Sequence, residues 1–226
     1  MLAIFKREFK SYFQNVIGWL FVAALLAVYG LYFYVYNLKN GYPYISYDLK
    51  GIGFIMMIAV PILTMRSLSD EKKTKTDQLM LTSPVSVGRI VAGKYLAMAA
   101  VYTIDIALFA LSPLVLSIYG KVALSEAYVA LFGYWLYGLS CIAVGLFISS
   151  ISESVIISAI LTFAALFLSY MMQSITGLIS SSGNLLTKVL NCFDLYTPFE
   201  NFVSGCISVT SAAYYVTVSY THLRAH

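Results

Sequence analysis

The sequence predicts an all-α fold, a polytopic helical bundle embedded in a membrane. Three observations predict it: 60% of the 226 residues are hydrophobic, only 11% are charged, and the charges cluster between long uncharged runs. Soluble domains carry about 25% charged residues. Polar surface this sparse cannot cover a water-soluble core, so the bilayer is the expected solvent. The net charge of +4, with two histidines and three cysteines, carries no nucleic-acid, metal-scaffold or disulfide-framework signal.

The first element is an amphipathic helix over 2–14. Leu2, Ile4, Phe5, Phe9, Tyr12 and Phe13 alternate at near-helical period with Lys6, Arg7, Glu8 and Lys10, the pattern of a helix lying in the membrane interface. An uncharged run follows, giving a first span over about 16–37. It is too long for a signal h-region and reads as a retained anchor. A spanning helix needs about 20 mainly apolar residues for a hydrocarbon layer roughly 30 Å thick. Gly51 to Met65 is shorter and carries Pro61, so the second span borrows flanking residues and covers 47–66, with Arg66 snorkelling. Spans three to five are placed at 95–119, 127–151 and 154–176.

After them comes a Ser/Gly-rich outer segment, 174–201, then a weak apolar stretch, 202–218, that reads either as a marginal sixth helix or as the start of a last span near Tyr214. The ending 219–226 reads as a non-native tail, with the native chain cut short at about 218. With the N-terminus inside, the inner side carries Lys6, Arg7, Lys10, Arg66, Lys72, Lys73, Lys75, Arg89 and Lys94, and the outer side Lys39, Lys50, Lys121 and Lys188. That asymmetry places the N-terminus in the cytoplasm. It also makes 67–94 the only sizeable cytoplasmic loop.

Within this loop, Gly88 to Lys94 matches the G-x-x-x-x-G-K pattern. Tyr95 stands where a phosphate loop needs Ser or Thr for magnesium, and no strand precedes it. Lys94 reads instead as an anchor where span three enters the membrane. Leu79, Met80 and Leu81 form an apolar cluster that a free linker would not need and a helix docked in a partner's groove would. Asp105 lies ten residues past Tyr95, about 15 Å along a helix, hence near mid-bilayer. It reads either as a protonated or hydrogen-bonded carboxyl inside the bundle or as a residue meeting substrate or a proton. No second intramembrane charge is expected. Gly133, Gly138 and Gly145, with Ser140, Cys141 and Ser149, favour close helix packing. Glu153 reads as a cap or turn.

Glu71, Thr76, Asp77, Leu79, Leu81, Pro84, Val85, Ile90, Gly93 and Lys94 resemble the signature between spans two and three of ABC-2 type permeases. The likeness is greatest to the gliding-motility-associated group. Met1 to Phe13 running into Ile17, Gly18 and Trp19 is similar to that family's opening, and Phe199, Phe202, Gly205, Ile207, Tyr214 and Tyr215 to the segment before its last span.

The resemblance implies a half-transporter of an exporter in the bacterial cytoplasmic membrane. Two permease chains, alike or different, would surround a pathway above separate ABC ATPase subunits that bind ATP and magnesium. This chain would hold no cofactor of its own. An ATPase-coupling loop would include Glu71, Lys72, Thr76, Asp77, Leu79, Leu81 and Pro84. An interface helix would present Phe5, Lys6, Arg7, Glu8, Phe9 and Lys10, Asp105 would border the pathway, and 177–213 would hold outer re-entrant helices. The rival reading is a self-contained channel or secondary transporter, for which Asp105 is the one candidate residue.

Overall fold

The computed structural model describes residues 2–73, 75, 86–179, 194–206 and 208–224, with the backbone alone over 173–179. Every regular element among the described residues is helical. Helix α1, Leu2–Gln14, repeats an aromatic residue every fourth position. Phe5 stacks on Phe9 at 5.8 Å and Phe9 meets Phe13 at 5.0 Å, because residues four apart share a helix face. Extended Asn15 ends α1. Gly18 sits so close under the Tyr12 carbonyl that a Cβ would collide with it, and Trp19 Nε1 donates to Phe13 O at 2.9 Å. The entry into the first span is thereby fixed.

Helix α2, Val16–Tyr32, passes without a break into a π-helical segment, Phe33–Lys39. Gly41, at φ +70°, turns the chain into α3, Ile45–Thr64. The short α4, Ser69–Lys73, follows. Helix α5 covers Val87–Phe109 and α6 covers Ser112–Tyr119. The break at 110–111 is where Pro113, which has no N–H to give, opens α6. Helix α7, Leu124–Ile151, and α8, Val155–Ile179, come next, then α9, Thr197–Val203, and α10, Val209–Arg224. Residues 219–224 continue α10.

Among the described residues, five segments are long and apolar enough to cross a membrane: Val16–Lys39, Ile45–Lys73, Val87–Tyr119, Leu124–Ile151 and Val155–Met172. The chain is a multi-pass membrane bundle. Its centre is α7, packed by α3, α5, α9 and α10. A Cβ on Gly138 would run into the Tyr102 ring and Met56, so the missing side chain lets α3 and α5 close on α7. Backbone carbonyls are used across helices as well. Tyr102 donates to Tyr134 O and Tyr215 to Leu195 O, both at 2.7 Å. Short α9 buries Phe199 and Phe202 completely, and Phe199 stacks on Tyr137 at 5.7 Å.

A polar junction and two buried carboxylates

At one end of the bundle, α1, α4 and the segment between α3 and α4 meet a single lysine of α5. Lys94 lies in the second turn of α5 and is 2% exposed. Its ammonium donates to Ser67 O and to Glu71 Oε1, each at 2.6 Å, and Glu8 Oε1 of α1 lies at 3.9 Å. Buried charge is tolerable only when paired and hydrogen-bonded, and here the partners come from three different segments. The anchor role expected for Lys94 is therefore corrected. Helix α5 begins at Val87, well before Tyr95, which carries the lysine inward against Glu71.

Helix α4 is stapled to α7 by serines. The Ser149 hydroxyl accepts the backbone N–H groups of Leu68 and Ser69, both at 3.2 Å. A helix start leaves such donors without intrahelical partners, and here the cap comes from another helix. Ser69 Oγ donates to Ser149 O at 2.9 Å, and Lys72 Nζ donates to Ser150 O. A cation on the carbonyl end of α7 also complements that helix's dipole.

The predicted coupling residues thus divide. Glu71 and Lys72 are brought into the junction, one on Lys94 and one on α7, while Thr76, Asp77, Leu79, Leu81 and Pro84 lie outside the described residues. Of the interface-helix residues, Glu8 faces the junction, Phe5 and Phe9 stack along α1, and Lys6, Arg7 and Lys10 are exposed. Arg7 also meets Glu8 at 2.7 Å. Burial first, and then the Glu8 carboxylate, push the Tyr12 phenol above its ordinary pKa, so it remains a neutral donor beside the junction.

Asp105 is fully buried in α5, and neither carboxyl oxygen has a hydrogen-bond partner among the described residues. The hydrogen-bonded reading is not observed. Its tyrosine neighbours are engaged elsewhere, Tyr102 on Tyr134 O and Tyr134 toward the Met56 sulphur at 3.7 Å. Asp105 is also not the sole buried charge within the spans. Asp48, in the first turn of α3, is 0% exposed and accepts a hydrogen bond from Asn37 of the π-helical segment. One signal in the sequence marked it: Ile45, Asp48, Leu49 and Ile52 fall on a single helix stripe, and all four are buried.

Gly88 to Lys94 is helical throughout, and Lys94 is committed to carboxylates, so this segment cannot wrap a phosphate. No group of three or more metal-ligating side chains occurs among the described residues. Cys206 is exposed and free, and Cys141 is buried and free.

The described residues thus form a bundle of apolar helices with a charged junction at one end, the architecture of a multi-pass membrane protein. The ABC-2 family transporter protein profile matches residues 28–220, and the chain belongs to that family. No curated protein matches the chain.

Proposed function

We propose that this chain is the permease subunit of an ABC exporter, driven by a separate ATPase subunit that binds ATP and magnesium. The observation that carries the reading is the Lys94 junction. It ties the amphipathic α1, α4 and span three to one buried charge, and α4 is bound in turn to α7 through Ser69 and Ser149. A displacement of α4 would therefore reach the central helix through short polar contacts. Such a packed junction can pass a cytoplasmic event to the spans.

In this reading the junction end and N-terminus face the bacterial cytoplasm, and a second permease chain, identical or not, completes the pathway. The resemblance to the gliding-motility-associated group suggests a role in exporting or assembling components of that kind. The full-length gene, tagged, gently solubilised and analysed by mass spectrometry, is expected to bring down an ATPase in stoichiometric amount. Its reproducible absence would overturn the proposal. Changing Leu79 and Leu81 together to Asp is expected to abolish that association while leaving membrane insertion intact.

The rival reading, a self-contained channel or carrier, is favoured by one observation, the two Asp105 oxygens that have no partner among the described residues. An ionisable group inside a span is costly and so marks a functional candidate. Transport unaffected by Asp105→Asn, measured with an identified substrate, would remove that residue from the pathway.

A further inference from the structure

Helix α1 spends its apolar side on protein. It packs against α5, with Phe9, Tyr12 and Phe13 set against the hydrophobic core, so little of that side is left for the bilayer. Its exposed residues are Leu2, Ala3, Lys6, Arg7, Lys10 and Gln14, and their spacing of three and four gathers them on one stripe. That stripe holds three cations and no carboxylate. Glu8, the one acidic residue of α1, is turned the other way, with its side chain 17% exposed and 3.9 Å from the buried Lys94 ammonium. Arg7 pairs with Glu8 at 2.7 Å, whereas Lys6 and Lys10 have no ion pair or hydrogen bond among the described residues.

We propose that this cationic stripe binds the headgroups of anionic phospholipids, such as phosphatidylglycerol. The depth fits. Glu8 meets Lys94 directly before the uncharged run 95–104 of span three, and the Tyr12 hydroxyl donates to Leu63 O, one residue before the end of α3. Trp19, 59% exposed, lies just past the joint with α2, and tryptophan is enriched at membrane interfaces. These contacts hold α1 level with the ends of the spans, beside headgroups. Leu2, 82% exposed on the same stripe, meets lipid there at less cost than water.

The chemistry fits as well. Lysines four positions apart repel each other and weaken a helix, so an anion lying across Lys6 and Lys10 relieves α1 of a strain that Glu8 is placed too far round to offset. Ammonium groups are point charges suited to phosphate. Most interfacial helices draw their membrane affinity from an apolar face. In α1 that face is taken by α5, and the lipid contact left to it is electrostatic. The site does not depend on the ATPase reading.

The test titrates the full chain, delipidated in detergent, with phosphatidylglycerol and phosphatidylethanolamine of equal short chains, read by native mass spectrometry. Phosphatidylglycerol is expected to bind about thirtyfold more tightly, the contribution of two basic residues beside an anionic surface. The double variant Lys6→Gln, Lys10→Gln should bring the two lipids level, and Lys6→Arg, Lys10→Arg should keep the preference. Both lysines are exposed, so neither pair of changes threatens the fold. Equal binding of the two lipids by the wild type would overturn the proposal. So would a preference that survives in the glutamine variant, and loss of a co-purifying ATPase from that variant would then assign the stripe to protein docking. Soluble glycerol phosphate carries the same charge, and if it displaces the lipid at equal concentration the stripe is a general anion site and the lipid proposal fails.

Discussion

Helices α7 and α8 are neighbours in sequence, joined by a three-residue turn, and both are apolar enough to cross a membrane. Yet 67% of the most apolar window of α7 is buried inside the protein and only 28% of that of α8, although α8 is the more hydropathic. Hydropathy therefore marks which segments enter the bilayer and says nothing of which face protein. Lipid tails are as apolar as leucine, so small and polar residues bring helices together. On α7 these are Gly133, Gly138, Ser140, Gly145 and Ser149, all buried. On α8 the inward stripe is Ser158, Thr162, Leu166 and Ser169, while Ile156, Ile160 and Phe167 face outward. Helix α8 is an inverted amphipath.

Three substitutions sharpen this contrast. Gly138→Leu on α7 should have the largest effect, about 3 kcal/mol of destabilisation, because the new side chain must displace Tyr102 and Met56; reversible unfolding in mixed micelles measures it. Ser149→Ala should cost about 1–3 kcal/mol, since it strips the cap from two backbone donors of α4. If the junction couples the loop to α7, the same variant should weaken stimulation of the partner ATPase more than it weakens stability. Ile160→Ala on the outer face of α8 should change stability by no more than about 0.5 kcal/mol. A larger loss there would mean that a second chain, not lipid, covers that face, and crosslinking through a cysteine at the position would show it.

The fold class was legible in the sequence because each spanning helix must satisfy its own backbone in a solvent that offers no hydrogen bonds. The aromatic repeat of α1 was legible for a similar reason: four-residue spacing places Phe5, Phe9 and Phe13 on one face whatever surrounds them. Glycines at close contacts could also be read, since small residues in an apolar run have few other uses. The site was less legible. Lys94 looked like an anchor because its distance from the next charged residue marked a membrane boundary, and only the approach of Glu71 from 23 positions away makes its burial tolerable. Asp48 fell inside the second span, 47–66, without being singled out, and Lys50 sits two positions on, yet the helix turns one inward and leaves the other exposed.

By itself the sequence determined the solvent, the number of apolar spans and the amphipathic start. These are one-dimensional properties, set by runs, periods and the length needed to cross hydrocarbon. The tertiary structure alone decided which face of each helix meets protein, where α5 breaks into α6, and how Glu8, Ser67, Glu71 and Lys94 share one junction. Those depend on distances between segments far apart in the chain. In a bilayer, moreover, the hydrophobic effect that sorts inside from outside in water no longer tells a protein-facing residue from a lipid-facing one.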